Sequence, residues 1–323
     1  MFYLGVDVAK AKLDCMLLDT SSGKRKSKVI PNTPAGFAQL LDWLDKHKAQ
    51  QTHVVMEPTG VYHEAAALAL TDAGMTLSLV NPAQLRQFAQ GLGVKTKTDK
   101  ADSTVLARYG ETQKPDAWQP PSQSARRLKA LLTRRDAIAD DLLREQNRQE
   151  ASEFGQAPEA VKESIAQSIA FLKAELKRLE KMIQGHIDND PDLRNKKDLL
   201  ESIPGVGERV STHMTALFAA RTFDRAEQLA AYLGLVPVQW ESGSSVRGRP
   251  RMSKAGPAHL RKLLYMPAVS ARRWNPHIKA MSERLLAKGK AKMAVIGACM
   301  RKLAHLCFGV VHSGRPYEPN YAM

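Results

Sequence analysis

Four acidic residues occupy positions from which a folded chain could bring their carboxylates together. Asp7 lies inside an apolar N-terminal run, Glu57 ends a second apolar run, and Asp99 and Asp102 are three residues apart, on one face of a predicted helix. A buried carboxylate is costly without a cation or a donor. Magnesium prefers oxygen ligands, and two such ions would stabilise the attacking and leaving oxygens of a phosphoryl transfer. The spacing therefore predicts a magnesium site.

Each acid also has an ordinary structural explanation. Asp7 could be a turn residue if its strand is shorter, and Glu57 could be a surface group at a strand end. Asp99 could be a helix N-cap, and Asp102 a solvated helix residue. Residue types and spacing leave both interpretations open.

A second candidate is the segment Glu241–Gly256, hereafter the serine loop, which contains Ser242, Ser244 and Ser245. It combines hydroxyls, glycines and four basic residues with almost nothing apolar, so it is predicted to be a surface loop. Guanidinium groups match phosphate oxygens, and glycine lets the backbone approach a ligand. The predicted phosphate contacts are Arg247, Arg249, Arg251 and Lys254. A solvated Gly/Ser linker is the alternative.

The segment Pro204–Gly207, hereafter the glycine turn, is typical of a helix-hairpin-helix turn. Gly205 and Gly207 could direct backbone amides towards a phosphate at a helix N-terminus. A simple connector between helices is the alternative, because a bare Pro-Gly-x-Gly turn is a weak signal.

The order of periodic segments predicts how the N-terminal acids are positioned. The predicted strands and helices alternate as β-β-β-α-β-α-β-α and a further helix follows, which indicates an α/β sheet with helices packed on it. The predicted strands are 2–9, 13–18, 29–30, 52–56 and 75–80, and the predicted helices begin at Pro34, Tyr62, Pro82 and Asp99.

Prolines at 115, 120 and 121 indicate a linker after this region. Apolar residues then repeat at spacings of four and three, as in a coiled-coil seam; they are Val161, Ile165, Ile169, Leu172, Leu176, Leu179 and Ile183. The seam could join two subunits or pack on the segment 126–150 of the same chain. We predict three domains: 1–114, a helical or coiled-coil spacer at 122–190, and a basic, mainly helical domain at 195–323.

Charge indicates the kind of partner. The chain has a net charge of +15, and residues 195–323 alone have 21 basic and 8 acidic residues, a net +13. Such an excess favours a polyanion. Cys15, Cys299 and Cys307 have no metal-ligand or disulfide spacing, so we expect reduced thiols in a cytoplasmic protein. The N-terminus is unlike a signal peptide, and the longest apolar run, Met293 to Met300, is short for a membrane span. Nucleic acid is thus favoured over lipid.

Several motifs together resemble the DEDD transposases of bacterial insertion sequences, which are RuvC-like enzymes also described as bridge-RNA-guided recombinases. The resemblance covers essentially the whole chain in the same order and spacing. The motifs that carry it are Gly5-Val6-Asp7-Val8-Ala9-Lys10, Glu57-Pro58-Thr59-Gly60, Thr98-Asp99-Lys100-Ala101-Asp102, Ile203-Pro204-Gly205-Val206-Gly207 and Glu241-Ser242-Gly243-Ser244-Ser245.

The resemblance implies an RNase H-like domain that holds magnesium, two ions in our expectation, through Asp7, Glu57, Asp99 and Asp102. It also implies a coiled-coil spacer and a C-terminal transposase domain in which Ser242 attacks DNA to form a phosphoserine link. Expected partners are donor and target DNA, a guide (bridge) RNA and further copies of the chain, as a dimer or tetramer, near the bacterial nucleoid. We hypothesise a composite active site in which the acids and Ser242 act together.

Three rival interpretations remain at this point. The first is a RuvC-like resolvase or nuclease that cuts by water attack. The second is an ATPase of the actin-like or sugar-kinase class, because the Gly-Val-Asp opening of this chain also fits that class, which shares the same sheet topology. The third is a basic nucleic-acid-binding protein without catalysis.

Overall fold

The computed structural model describes residues 1–93, 98–239, 241–242, 246–248 and 250–320, and the side chains of 241, 242, 246 and 247 are outside that description. The chain divides into two compact units, Met1–Pro120 and Pro121–Met323. The boundary falls in the proline-rich segment, where the residue before each proline is biased against helix.

The first unit is a mixed five-stranded sheet with helices, in the order predicted from the sequence. The sheet order is β3-β2-β1-β4-β5, with β1 at the centre. Strand β2 pairs antiparallel with both β1 and β3, whereas β4 pairs in parallel with both β1 and β5. The elements are β1 (Phe2–Val8), β2 (Lys12–Asp19), β3 (Arg25–Pro31), α1 (Pro34–Lys46), β4 (Thr52–Met56), α2 (Glu64–Asp72), β5 (Thr76–Leu79), α3 (Pro82–Gly91) and α4 (Asp99–Gln113).

Helices cover both faces of this sheet. Because side chains alternate along a strand, Leu4 and Val6 of β1 face α1 and α2, while Gly5 faces α4. A Cβ at Gly5 would lie 2.0 Å from the carbonyl oxygen of Ser103. Only glycine therefore allows α4 to approach the central strand this closely.

The second unit begins with a long helical hairpin made of α5 (Gln123–Phe154) and α6 (Glu159–Asp188). Arg135 of α5 pairs with Glu180 of α6 at 2.9 Å, and the Ser124 hydroxyl lies 3.2 Å from the His186 ring, so the helices are antiparallel. The predicted seam thus packs within the chain near the hairpin base, where Leu179 is buried. Towards the tip, Val161 is 45% exposed.

The remaining helices enclose the largest apolar core. They are α7 (Pro191–Glu201), α8 (Glu208–Ala220), α9 (Ala226–Tyr232), α10 (Ala258–Leu263), α11 (Tyr265–Trp274), α12 (Pro276–Ala287) and α13 (Lys292–Ser313). Among the described helices, α13 alone is long and apolar enough to cross a bilayer, but half of that stretch is buried in the protein. Its length and apolarity are explained by its central place in this core.

One helix of this unit and the serine loop differ in detail from what the sequence indicates. The segment Leu260 to Val269 is typical of one continuous helix in its sequence, but it is interrupted at Leu264, because Pro267 has no backbone N–H to donate to the preceding turn. The serine loop is also more regular than expected. Strand β6 (Pro237–Val238) pairs with β9 (Arg251–Met252), and β7 (Glu241–Ser242) pairs with β8 (Val246–Arg247).

All three cysteines are free and buried, one in the first unit and two in the second. Cys15 lies on β2, and Cys299 and Cys307 lie on α13. Burial raises the pKa of Cys15 and of Cys307 to about 12. Their thiols are therefore protonated near neutral pH.

Candidate active site

The sheet presents three carboxylates on the face that α4 covers. Asp7 shares this face with Gly5, and Asp14 is the direct cross-strand partner of Asp7 in the β1–β2 ladder. Glu57 follows β4, whose last residue, Met56, pairs with Val6. Strand alternation and register thus place acids from three strands at one end of the sheet.

Helix α4 adds two more acids from its first turn. Thr98 is the N-cap, and its hydroxyl accepts a hydrogen bond from the Ala101 amide. Asp99 is therefore the first helical residue rather than the cap. Asp99 and Asp102 both lie in the first turn, where the helix dipole favours negative charge.

These residues form the acidic cluster, which consists of Asp7, Asp14, Glu57, Asp99 and Asp102. Carboxylate oxygens of Asp7, Asp14 and Asp99 all lie within 4.8 Å of one another. The pKa of Asp7 is raised to about 6, first by burial and then by repulsion from each of the other four acids. Each of these causes opposes ionisation of Asp7.

Lys12 contacts two members of this cluster. Its ammonium Nζ lies 2.7 Å from an oxygen of Asp99 and 3.0 Å from an oxygen of Asp14. The hydrogen bond to Asp99 raises the pKa of Lys12, and the same bond lowers the pKa of Asp99. Lys12 therefore joins β2 to the first turn of α4.

Asn32 fixes the loops that follow the two acid-bearing strands β1 and β4. Its side-chain Nδ2 donates to the carbonyl of Ala9, two residues after Asp7, and to the carbonyl of Tyr62, both at 3.0 Å. One carboxamide thus ties the loop after Asp7 to the turn after Glu57, and both acids are held on a common scaffold.

Asp14, Lys12 and Asn32 were missed from the sequence. Asp14 carried the same signal as Asp7, an acid inside an apolar strand, and the structure leaves it 8% exposed. Lys12 and Asn32 carried no such signal, since their contacts depend on strand register and on distant residues.

The serine loop belongs to the second unit. Glu241 pairs with Arg247 and Ser242 with Val246 in the β7–β8 ladder, which fixes their backbone. Ser244, Ser245 and Arg249 lie outside the described residues. Arg251 and Lys254 are exposed, so both are accessible to a ligand.

The end of the serine loop is held by backbone contacts. Gly256 has φ +75°, and a Cβ there would lie 1.9 Å from the carbonyl oxygen of Tyr232. The guanidinium of Arg261 donates to the carbonyls of Leu233 and Ala255, both at 3.0 Å. Arg261 therefore braces this end of the loop.

The glycine turn connects α7 to α8, as the sequence predicts. Gly205 has φ +102°, and a Cβ there would lie 2.8 Å from the Cβ of Ala271, which explains the glycine by packing alone. Gly207 is the N-cap of α8 and has open space around its Cα. Glu208 in the first turn of α8 opposes an anion at that end.

Comparison with known proteins places these features in a family. Residues 4–152 match the DEDD transposases of the IS110 type, and residues 197–283 match the transposase domain of the IS116/IS110/IS902 family. A pilin gene-inverting protein of Moraxella bovis is 33% identical over 321 residues, covering 98% of this chain and 97% of the relative. The chain belongs to the IS110 family of transposases.

Two more distant similarities cover less of the chain. The insertion element IS110 protein of 43.6 kDa from Streptomyces coelicolor is 26% identical over 48% of this chain and 37% of its own. The structure of Thermus thermophilus RuvC in complex with a Holliday junction substrate has 16% identity and a TM-score of 0.28, covering 36% of this chain and 99% of RuvC.

The two family matches cover both candidate regions of this IS110-family chain. The first match includes every member of the acidic cluster, and the second includes the glycine turn and the serine loop.

Proposed function

We propose that this IS110-family protein is a transposase that cuts and rejoins DNA strands by metal-dependent phosphoryl transfer. The observation that carries the proposal is the acidic cluster, in which five carboxylates from three strands and one helix converge within a chain of this family. A cluster that raises the pKa of its own Asp7 is poorly suited to a purely structural role. Membership in a transposase family favours DNA over a nucleotide as substrate.

The residues present fit a magnesium site. The donors are carboxylate oxygens, the ligand type that magnesium takes, and oxygens of Asp7 and Asp99, together with one of Asp14, lie within 4.8 Å of one another. We propose that Asp7, Glu57, Asp99 and Asp102 hold two magnesium ions and that Asp14 adds to their negative field. Bound ions would supply charge stabilisation to the attacking and leaving oxygens. The β1–β2 ladder and the Asn32 contacts keep the carboxylates in place.

Ser242 is our proposed nucleophile. Its Oγ would form a bond to a DNA phosphorus while the bond from phosphorus to a deoxyribose oxygen breaks. The serine loses its proton, the leaving oxygen gains one, and a DNA hydroxyl later displaces the serine to rejoin the strand. Arg247, Arg249 and Arg251 would offset the phosphorane charge. In this proposal the acids of the first unit and the serine of the second serve one reaction.

The direct test is detection of a covalent protein–DNA adduct. Purified protein is incubated with a labelled DNA that carries the element end, in magnesium or in EDTA, and is separated on a denaturing gel. A magnesium-dependent band that a protease removes supports both halves of the proposal. Cleavage of DNA in EDTA would contradict the metal site.

Site-specific inversion is a second outcome worth assaying. It is favoured by the similarity to the pilin gene-inverting protein, which covers almost the whole of both chains. A plasmid with two oppositely oriented element ends separates inversion from insertion by the size of the products. Both outcomes use the same strand cleavage.

Lys12 should compete with metal for Asp99, because its ammonium lies 2.7 Å from the Asp99 carboxylate. We expect Lys12→Met to bind Mn²⁺ about three- to tenfold more tightly in calorimetry, a range set by the modest worth of an exposed ion pair plus the lost charge. Lys10→Met is the matched control, since Lys10 is an exposed lysine two residues away. Equal effects of the two variants, or weaker binding by Lys12→Met, would contradict direct competition.

A guide RNA is our proposed source of target choice. The second unit carries most of the positive charge, and the sequence contains neither a zinc finger nor a long basic helix that would read bases. We expect protein purified from its host to carry RNA, and ribonuclease treatment to abolish site-specific cleavage until that RNA is restored. Undiminished specific cleavage after RNA removal would contradict this. We further propose that the protein acts as a dimer or tetramer, in the cytoplasm.

A further inference from the structure

The second unit exposes a large aromatic side chain beside a guanidinium. Trp274 is the last residue of α11 and is 65% exposed. The Arg273 guanidinium carbon lies 4.9 Å from the centre of the indole ring. We call these two residues the stacking pair. An exposed indole with a guanidinium over one face offers a flat apolar surface and a positive charge side by side.

The backbone that carries the stacking pair is held firmly. Asn275, the next residue, is buried and caps α12 by accepting from the Ile278 amide. The same Asn275 oxygen accepts from the hydroxyl of Tyr317 at 3.2 Å. Tyr317 in turn lies 2.7 Å from the ring nitrogen Nδ1 of His277. Trp274 therefore projects from a preorganised corner, which lowers the entropic cost of binding.

Charge indicates what would cover this surface. Residues 258–318 contain 12 basic and 2 acidic residues. Within the described part of the chain, no carboxylate lies within ion-pair distance of Arg273. By contrast, the exposed Phe154 and Phe171 lie on the α5–α6 hairpin, where residues 123–188 contain 12 basic and 11 acidic residues. An anionic partner with flat apolar groups fits the first surface and not the second.

The glycine turn lies against the same helix end. Gly205 packs on Ala271, three residues before Trp274, and the Asn275 carboxamide donates to the carbonyl of Pro204 at 3.4 Å. A nucleic acid strand at the stacking pair would therefore pass beside the N-terminal end of α8. Because Glu208 opposes an anion at that end, the phosphates would be contacted by the basic residues of 258–318 instead.

We propose that Trp274 and Arg273 form a stacking site for an unpaired base of a single-stranded nucleic acid. The base stacks on the indole face opposite the Arg273 guanidinium, and the guanidinium, which covers the other face, adds a charge for the neighbouring phosphate. Paired bases are excluded, since their faces are covered by neighbours in the duplex. This inference rests on the proposed nucleic-acid function but is independent of Ser242 chemistry.

The test measures affinity of the full-length protein for fluorescent 12-mers by anisotropy. The probes are a single strand and a duplex of the same sequence, each as DNA and as RNA. We expect Trp274→Ala to weaken single-strand binding about tenfold, in the range for loss of one stacked base, and to change duplex binding less than about twofold. The nucleic acid whose binding falls most identifies the source of the base.

Three variants make the outcome decisive. Trp274→Phe keeps an aromatic face and should retain most of the affinity, whereas Arg273→Lys keeps charge but loses the planar group and should weaken single-strand binding. Phe154→Ala removes an exposed aromatic on the hairpin and should have no effect. Equal affinity of Trp274→Ala and wild type for every single strand would overturn the proposal. So would an equal loss for single strand and duplex at an unchanged circular dichroism melting temperature.

Failure of this inference and failure of the proposed function can be told apart. If Trp274→Ala binds single strands normally while the covalent adduct forms, the stacking site is wrong and the transposase chemistry stands. If wild-type protein forms no adduct but the Trp274→Ala variant binds single strands more weakly than wild type, the stacking site stands and the proposed transposase chemistry is wrong.

Discussion

Asp7→Asn is expected to lower DNA strand cleavage by at least about 100-fold, because it removes a central charge from the proposed metal site. Asn has nearly the same shape, and Asp7 lies on the central strand opposite Asp14, so the fold should persist. Cleavage is measured by the denaturing gel assay across a range of magnesium concentrations. Asp102→Asn should behave in the same way.

Asp7→Asn should also stabilise the metal-free fold near neutral pH. The pKa of Asp7 is about 6 in the folded chain and 3.8 in its ordinary state. Its protonated form therefore stabilises the fold fully below about pH 4, and this contribution is lost as pH rises through 6. After a discount for partial solvent exposure, Asp7→Asn should gain about 1–2 kcal/mol over wild type at pH 7.5 in EDTA, and almost nothing at pH 4.

Urea unfolding at the two pH values checks this. Asp72→Asn, an exposed acid at the end of α2, serves as the control and should change neither cleavage nor the pH dependence. A protein that is more stable and inactive would indicate a site whose charges oppose folding and serve catalysis. Full cleavage activity in Asp7→Asn would refute the metal assignment.

Ser242→Ala is expected to abolish the covalent adduct and to lower strand cleavage by at least about 1,000-fold, since the attacking oxygen itself is removed. Ser242 lies on β7, whose short ladder with β8 involves backbone atoms only, so the substitution should leave the hairpin intact. The adduct is quantified on the denaturing gel, and DNA binding is measured separately by anisotropy.

Ser244→Ala is the matched control, a serine two residues away in the same loop, and it should retain the adduct. An adduct that persists in Ser242→Ala would exclude this serine as nucleophile. Cleavage that persists without an adduct would instead favour water attack, as in a resolvase-type nuclease. The three results are distinguishable on one gel.

Much of the first unit could be predicted from sequence, because its signals are local. Apolar runs marked β1, β2, β4 and β5, and Pro34 and Pro82 marked helix starts, whereas β3 was predicted only at 29–30 because its first four residues are polar. Because successive side chains of a strand point to opposite faces, a strand over 2–9 also places Asp7 on the face opposite Leu4 and Val6. These patterns depend only on residues close in the chain.

Contacts that depend on register could not be predicted in the same way. Asp14 faces Asp7 because of how β1 and β2 pair, and a shift by one residue would turn Asp14 to the other face. The Lys12 contact with Asp99 spans 87 residues, and no local pattern indicates it.

In the second unit, local residue patterns also mark helix boundaries. Asn275 followed by Pro276 is a typical helix start, and it opens α12. Pro267 likewise indicated the break after α10. The two-residue ladders of the serine loop had no such signal, since pairs this short leave no periodic pattern.

The buried cysteines can report when each unit of the protein opens. A thiol with a pKa of about 12 and no access to solvent cannot react with an alkylating reagent until its surroundings open. Cys15 belongs to the sheet that carries the acidic cluster, and Cys299 and Cys307 belong to the helix at the centre of the other core. The rate at which each cysteine is modified therefore measures how often its own unit opens. Opening of the first unit can thus be followed separately from opening of the second.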